Sequence, residues 1–271
     1  IVFHLRPGVY FNADHVDFME SREVIADDAA YCLTRWMNSA RCVARVPYVS
    51  EPKTAYAEGR YKVVIETDYF DYGWYFWVAS SMGAAVLPPE VVEAGAADWK
   101  NQVATGPFII GDVVKGSQVT YKRNPIYWDT TTIDGEEYPL PFVDKLVIPV
   151  IADEATLVSA VRTGKLDAGA SVPVKYGDTL AKTCPELVLH SYTPIVSDAV
   201  FFQCREGFLL QDKNLRRALT IGTDRDAIVK GALDGIGLIH SWIDGPGSTL
   251  YTPIEEMPES VQELYQYDLV K

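Results

Sequence analysis

The sequence predicts an α/β fold with a sizeable core. A helical pattern over residues 153–164 lies between two apolar stretches, "DKLVIPVI" and "KLDAGA", so residues 145–170 predict a strand–helix–strand, βαβ-like unit. Two more apolar stretches, "FIIGDVV" and "QVTYKR", flank Lys115 and Gly116 and predict a β-hairpin. Of the 271 residues, 48% are hydrophobic, which is enough to bury a substantial core.

The first third of the chain predicts strands around one helix. The stretch "IVFHLRPGVYF" predicts a strand, a turn at Pro7 and Gly8, and a short second strand. A helix is predicted over residues 26–38, because Asp27 and Asp28 in its first turn favour the positive end of the helix dipole. The stripe of this helix expected to be buried consists of Ala29, Ala30, Leu33, Trp36 and Met37.

The elements that follow alternate between strands and short helices. "RYKVVIET" predicts a strand, "YFDYGWYFWVASSMGAAVL" an aromatic helix or irregular segment, and "PPEVVEAG" a short helix with proline at its start. The helix of the βαβ-like unit should be capped by Asp153 and end at Gly164, with Leu157 in the core.

The last third predicts one strand and two helices. "VSDAVFFQC" predicts the strand, and "KNLRRALTIG" and "DRDAIVKGAL" predict helices with Asp212 and Asp224 at their N-caps. The proline-rich tail "PGSTLYTPIEEMPES" predicts irregular structure.

Composition excludes some classes of protein. A net charge of −13 argues against nucleic-acid binding, which needs clustered Lys and Arg. No apolar run approaches the ~20 residues of a membrane span, since the longest tract, residues 74–87, contains Gly83 and ends at two prolines.

The cysteine pattern does not predict a metal site. Cys32, Cys42, Cys184 and Cys204 form no C-x-x-C pair and have no histidine at zinc-finger spacing. A disulfide between Cys184 and Cys204 is the preferred pairing, because both lie in strand-like segments, and buried free thiols are an equally good interpretation.

The segment after Ala104 carries a specific motif. A T-G-P-F start leads into the predicted hairpin, which ends in R-N-P-x-Y-W. These residues are Thr105, Gly106, Pro107, Phe108, Arg123, Asn124, Pro125, Tyr127 and Trp128. This pattern resembles the bacterial extracellular solute-binding proteins, family 5, the ABC-importer components that include oligopeptide-, dipeptide- and nickel-binding members.

Four further stretches resemble the same family in the same order. They are "FHLRPGVYF", "IADDAAYCLTRW" with Ile25 in place of the usual threonine, "PFVDKLVIPVIADEATLVSAVRTGKLDAG" and "NLRRALTIGTDRDAIVKGAL". The resemblance implies a two-lobed, type II periplasmic-binding-protein architecture with mixed sheets and a ligand cleft between lobes.

From the resemblance, we expect this sequence to be shorter than family members at both ends. Members have a stretch before the "FHLR" strand and a long C-terminal half, whereas this chain ends at "YQYDLVK". We therefore expect a fragment of the full fold, without a signal segment. Residues 1–195 should form most of lobe one, divided into 1–120 and a βαβ-containing part, 121–195. Residues 196–271 should begin lobe two, with the crossover at residues 192–203.

The aromatic segment contains the candidate ligand-binding residues. Aromatic rings supply contact area and hydroxyls supply orientation, and the resemblance implies that the loop at Ser80, Ser81 and Met82 borders the ligand. The candidates are Trp74, Tyr75, Trp77, Ser80, Ser81 and Met82. For each aromatic residue a place in the core is the competing interpretation, whereas Ser80, Ser81 and Met82 are expected to face the cleft.

Other polar groups are weaker candidates for a site. Asn124, Tyr127 and Trp128 are expected to be structural, and the "DHVD" stretch at residues 14–17 is expected to be a solvated loop. Asp224 and Asp226 should point apart at a helix start, so they do not form a glycosidase carboxylate pair. We predict no catalytic residues, metal site or cofactor.

The predicted function is solute capture for an ABC importer. The resemblance implies a peptide or similar small solute as ligand, a membrane permease as partner, and a periplasmic or extracellular location, free or anchored as a lipoprotein. The alternatives are a carbohydrate-active hydrolase and a sensor or chaperone that uses the same fold. Apolar surface around residues 201–210 is expected to be exposed and to favour self-association.

Overall fold

The computed structural model describes residues 1–39, 49, 53–74, 85–169, 172–190, 199–241, 245–246 and 248–270. The chain divides into two compact units, Ile1–Ile151 and Ala152–Lys271. Among the described residues, all the named strands lie in the first unit, and the second unit consists of helices and loops. The predicted lobe boundary near residue 195 stays a prediction.

A three-stranded antiparallel sheet with one helix packed against it begins the first unit. The sheet contains β1 (Val2–His4), β5 (Lys62–Ile65) and β4 (Ala55–Ala57), in the order β1-β5-β4. Helix α1 (Ala26–Met37) places its buried stripe against Val63 and Ile65, both 0% exposed. This confirms the stripe predicted from helical spacing, with Trp36 partly buried at its edge.

A second apolar cluster joins the next elements of this unit. Strand β2 (Tyr10–Phe11) pairs with β3 (Arg22–Glu23), and the short helix α2 (Pro89–Gly95) packs beside them. Phe11, Val91 and Val103 are fully buried in this cluster. The proline-started helix predicted from "PPEVVEAG" is confirmed.

The predicted hairpin supplies two strands of a second three-stranded sheet. Strands β6 (Phe108–Val114) and β7 (Gln118–Arg123) meet at a turn in which Gly116 has φ +75°, a left-handed conformation that favours glycine. The order is β10-β7-β6, with β10 (Lys145–Pro149) antiparallel to β7.

A further hairpin, β8 (Thr130–Ile133) with β9 (Glu136–Pro139), was not predicted. Its signal is the pair Asp134-Gly135, with φ angles of 51° and 86°, which is typical of a two-residue turn.

The second unit begins with two helices around a small core. Helix α3 (Glu154–Arg162) is N-capped by Asp153, whose Oδ1 accepts a hydrogen bond from the Thr156 N–H at 2.7 Å. Helix α4 (Gly177–Thr183) follows, and Val158, Leu180 and Cys184 form the buried cluster. Leu157, predicted to be core, is half-buried, because the neighbouring Val158 takes the inward position of that turn.

Two further helices of this unit follow the predicted capping pattern. Helices α5 (Lys213–Ile221) and α6 (Arg225–Ala232) are N-capped by Asp212 and Asp224, as predicted. The stretch predicted to be irregular contains a 3-10 turn at Ile254–Glu256 and the start of helix α7 (Glu259–Gln262), and a second 3-10 turn follows it at Glu263–Tyr265.

The predicted βαβ-like unit is wrong. Strand β10 pairs antiparallel with β7, and residues 165–169, the described part of "KLDAGA", follow α3 as a turn and loop with no strand. Four of those five residues are exposed, so they lack the burial that a central parallel strand requires. The strand predicted in "VSDAVFFQC" is likewise absent from its described residues, 199–204.

The cysteines in the described part of the chain are free thiols. Cys184 is buried, whereas Cys204 is exposed and its Sγ lies 3.3 Å from the Phe202 carbonyl oxygen. The disulfide preferred between these two residues is therefore not formed, and Cys32 is also a buried free thiol. Cys42 lies outside the described residues.

Candidate functional site

The candidate ligand segment is defined here as residues 74–82. Of its six selected side chains, Trp74 is described, and the other five, Tyr75, Trp77, Ser80, Ser81 and Met82, lie outside the described residues. The polypeptide on each side of residues 75–84 is described, so the structure shows how both ends of the segment are attached to the first unit.

The N-terminal end of the segment is fixed by a tight turn. The Asp71 Oδ1 accepts a hydrogen bond from the Gly73 N–H at 2.6 Å, and the Asp71 carbonyl accepts one from the Trp74 N–H at 3.2 Å. The Trp74 ring lies edge-on to Phe3 at 6.0 Å between centroids and packs against the cluster under α1. Trp74 therefore anchors the segment to the core while part of its surface stays open.

Three exposed aromatic side chains precede this anchor. Tyr69, Phe70 and Tyr72 are 54%, 65% and 88% exposed, and the Phe70 and Tyr72 rings contact each other edge-to-face at 5.0 Å. A patch of this kind provides contact area for a ligand or a protein surface. The sequence interpretation did not select these residues, although their signal was present: Asp71 and Gly73 are turn formers inside an aromatic run.

The described chain after the segment, from residue 85 onward, is attached to α1 through Leu87. The buried Cys32 thiol donates to the Leu87 carbonyl and accepts from the Leu87 N–H, each at 3.1 Å. Burial raises the pKa of Cys32, and the Leu87 N–H opposes that rise. Val86 packs on both apolar clusters, and Pro88 is buried directly before α2, so residues 86–88 are held against the first unit.

An ion-pair network holds α2 against α1. The Arg22 guanidinium donates to both oxygens of Asp28, at 2.7 and 2.9 Å, and to both oxygens of Glu90, at 3.0 Å each. Asp28 is 3% exposed and also accepts the Ile25 N–H at 3.0 Å, which closes the first turn of α1. The two carboxylates raise the pKa of Arg22, and Arg22 lowers the pKa of Glu90.

The motif residues near Asn124 have structural roles. Asn124 is 1% exposed; its Oδ1 accepts from the Asn12 side chain at 2.9 Å, and its Nδ2 donates to the Gly106 carbonyl at 2.8 Å. The Arg6 guanidinium lies 4.3 Å from the centre of a Trp128 ring. Thus the "LRPG" and "RNPIYW" stretches contact each other, which agrees with the structural role expected for Asn124 and Trp128.

The other polar candidates make local structural contacts. Asp14 accepts from the Ser21 hydroxyl, the exposed His15 ring contacts the Gln102 carbonyl, and Asp224 caps α6. Within the described ranges, no group of three or more His, Cys, Asp and Glu side chains is arranged to hold a metal ion. No helix in those ranges has both the length and the apolar character needed to cross a membrane.

The mixed α/β fold matches that of solved type II periplasmic binding proteins over about half of their length. A family model of the bacterial extracellular solute-binding proteins, family 5 (middle region), matches residues 1–270. The chain belongs to this family, as its motifs predicted.

Similar proteins include named peptide-binding proteins. The oligopeptide-binding protein AppA of Bacillus subtilis is 23% identical over 257 residues, with 90% of this chain and 44% of AppA covered. The dipeptide-binding protein of Escherichia coli K12 is 26% identical over 260 residues, with 87% of this chain and 45% of that protein covered.

A solved structure shows the same fold. The ABC transporter-associated periplasmic binding protein DppA from Helicobacter pylori, in complex with the peptide STSA, matches with a TM-score of 0.75 and 18% identity. The match covers 99% of this chain and 52% of DppA. The chain therefore spans about half the length of the proteins that it resembles.

Proposed function

We propose that this chain is part of the substrate-binding component of an ABC importer, which captures a peptide or similar small solute and delivers it to a membrane permease. The observation that carries the proposal is membership of the solute-binding family over residues 1–270. Relatives named as oligopeptide- and dipeptide-binding proteins, and a neighbouring structure that holds a peptide, support the ligand class.

Within this proposal, residues 1–195 form most of lobe one and residues 196–271 begin lobe two. The ligand contacts are assigned to Trp74, Tyr75, Trp77, Ser80, Ser81 and Met82. Anchoring by Trp74 and by the Cys32–Leu87 contact supports this role. A binding segment that is flanked by anchored residues loses less conformational freedom when ligand binds. The exposed rings of Tyr69, Phe70 and Tyr72 extend the aromatic surface beside these contacts.

The proposed protein binds its ligand without transforming it and acts in the periplasm or at the cell exterior, free or lipid-anchored. The similar proteins are named for binding, which supports a non-enzymatic role. No specific observation in the described residues favours the hydrolase, sensor or chaperone alternatives.

Native mass spectrometry of the complete gene product, purified from its own host without denaturation, tests the proposal. We expect co-purified ligands with peptide masses, and calorimetry with the identified peptide should give a one-to-one complex. A control preparation, unfolded and refolded to remove ligand, should regain affinity on addition of that peptide. Recovery of carbohydrate, turnover of the added compound, or no binding to a mixture of short peptides would overturn the proposal.

A further inference from the structure

Strand β10 forms one edge of the second three-stranded sheet. It pairs with β7 on one side, and no strand in the described part of the chain pairs with its other side. Every residue of β10 is exposed, and the apolar Leu146, Val147 and Ile148 are 40%, 42% and 48% exposed. Because successive side chains of a strand point to opposite faces, apolar surface is open on both faces of this edge. An edge of this kind is a template for pairing with a further strand.

The hydrogen bonds to β7 show which residues of β10 face outward. The Asp144 carbonyl accepts from the Arg123 N–H at 2.8 Å, and the Val150 N–H donates to the Ser117 carbonyl at 2.7 Å. Peptide groups alternate in direction along a strand, so the even-numbered residues face β7 and the odd-numbered residues face away from it.

The outward groups are the N–H and C=O of Lys145 and Val147 and the C=O of Pro149. None of them has a hydrogen-bond partner among the described residues. Proline has no N–H, so Pro149 can accept a hydrogen bond at this edge but cannot donate one. The free edge therefore offers two donors, and Val147 lies at its centre.

The opposite edge of the same sheet is less suited to pairing. Strand β6 has a register irregularity between Ile110 and Asp112, where the ladder with β7 is interrupted. A bulge bends an edge strand and hinders the addition of another strand. The register of β10 with β7 is continuous from Lys145 to Pro149, so β10 presents the regular edge.

Strand β10 is complementary to itself in one antiparallel register. When a twofold axis passes beside Val147, this residue lies opposite Val147 of a second copy, and the two residues exchange hydrogen bonds. The Lys145 N–H then lies opposite the Pro149 carbonyl, which can accept it. Leu146 lies opposite Ile148 and forms an apolar cross-strand pair. The one outward group left without a partner is the Lys145 carbonyl, at an exposed end of the strand where water can hydrate it.

This register also keeps like charges apart. Lys145 is the charged residue of β10, and its counterpart in the second copy lies about four residues, or ~14 Å, further along the pair of strands. That distance exceeds the screening length of about 8 Å at physiological ionic strength. A twofold axis beside Lys145 would instead place two ammonium groups directly opposite each other, which is destabilising. The charges therefore favour the axis beside Val147.

We propose that this protein forms a twofold-symmetric dimer in which β10 pairs antiparallel with β10 of a second copy. The two three-stranded sheets then join into one continuous sheet. Lys145 and Val147 supply the main-chain donors, and Leu146 and Ile148 supply the apolar contacts. The interface lies in the first unit, whereas residues 201–210 belong to the second, and it does not depend on the proposed function.

Sedimentation velocity of the Leu209→Ser variant tests the proposal, because this background weakens any contribution from residues 201–210. We expect a dimer at micromolar concentrations. Val147→Arg and Val147→Glu each place like charges opposite each other at the twofold axis, so each should weaken dimerisation at least about tenfold. An equal mixture of these two variants should dimerise again, because opposite charges then meet at the axis. Two misfolded variants would not recover in this way.

A control and a second measurement make the outcome decisive. Val114→Arg changes a valine of similar exposure, 45%, on β6 and should leave the dimer unchanged. The Lys145 amide should exchange its hydrogen slowly in the dimer and rapidly in the Val147→Arg variant. A monomeric protein, or no recovery in the mixture, would overturn the assignment. Slow exchange at Lys145 in a monomer would also overturn it, because the edge would then be covered within a single chain.

None of these changes lies in residues 74–82, so failure here is distinguishable from failure of the proposed function.

Discussion

Replacing Arg22 with methionine would remove the cation that joins α1 to α2. Arg22 makes four hydrogen bonds to two carboxylates, and its side chain is 32% exposed. Methionine keeps much of the aliphatic length and removes every donor. The variant therefore leaves Asp28, which is 3% exposed, as a buried carboxylate whose remaining hydrogen bond from the described residues is the one from the Ile25 N–H.

The expected loss of unfolding free energy is about 3 kcal/mol. Removing one partner of a fully buried ion pair costs about 3–5 kcal/mol, because the other charge is stranded. The expected loss lies at the lower end of this range, because Arg22 is partly exposed. Glu90 is 34% exposed, so water can hydrate its carboxylate once Arg22 is replaced. For a unit of this size, ~3 kcal/mol corresponds to a decrease in melting temperature of roughly 6–12 °C.

Urea unfolding followed by circular dichroism measures this loss. Lys115→Met, which removes an exposed cation from the β6–β7 turn, is the matched control and should change stability by less than about 0.5 kcal/mol. Adding Asp28→Asn to Arg22→Met should restore about half of the loss, because a neutral amide is less costly to bury. A loss below ~1 kcal/mol, or no recovery in the double variant, would refute the stranded-charge explanation.

The same variant should change the acid sensitivity of the protein. Arg22 holds the pKa of Glu90 below its ordinary value of 4.5. The Glu90 contribution to stability is therefore present above pH 4.5 and is lost as pH falls through the lower, folded-state pKa. Arg22→Met removes that contribution, so stability should decline less steeply below pH 4.5 than in the unsubstituted protein.

Three further outcomes are expected. Asn124→Ala should cost about 3 kcal/mol by urea unfolding, because it leaves the Asn12 amide and the Gly106 carbonyl without their buried partner, and a loss under ~1 kcal/mol would contradict this. In the complete gene product, Ser81→Trp should weaken ligand binding in calorimetry with little change in melting temperature, and unaltered affinity would contradict its place in the cleft. Leu209 is 79% exposed, as predicted for this region, and should support self-association of the 271-residue chain. Leu209→Ser should therefore lower the average molar mass measured by light scattering, and a monomeric unsubstituted chain would contradict this.

The sequence by itself determined features that depend on neighbouring residues. The caps at Asp153, Asp212 and Asp224 are confirmed, because each side chain bonds a backbone N–H two or three residues away. The turn at Gly116 and the buried stripe of α1 are confirmed for the same reason: a left-handed turn and a 3.6-residue period are local properties. The ordered motifs also identified the family correctly, which the match over residues 1–270 confirms.

The candidate site was predictable only in part. An aromatic run followed by hydroxyls pointed to residues 74–82, and the structure shows the anchoring of Trp74 but not the five side chains beyond it. The exposed rings of Tyr69, Phe70 and Tyr72 were missed, because the turn formers Asp71 and Gly73 indicate a turn but not which of the nearby rings face solvent. Exposure depends on how the turn at Asp71 directs each side chain.

The tertiary structure decided everything that joins residues far apart in the chain. The apolar pattern of "DKLVIPVI" predicted a strand correctly, but its antiparallel partner β7 lies upstream, and "KLDAG" downstream forms no strand. Arg22 and Glu90 are 68 positions apart, and Asn12 and Asn124 are 112 apart. Spacing along the chain carries no information about such pairs, since their energies depend on burial and direct contact, which arise only when the separate elements pack together.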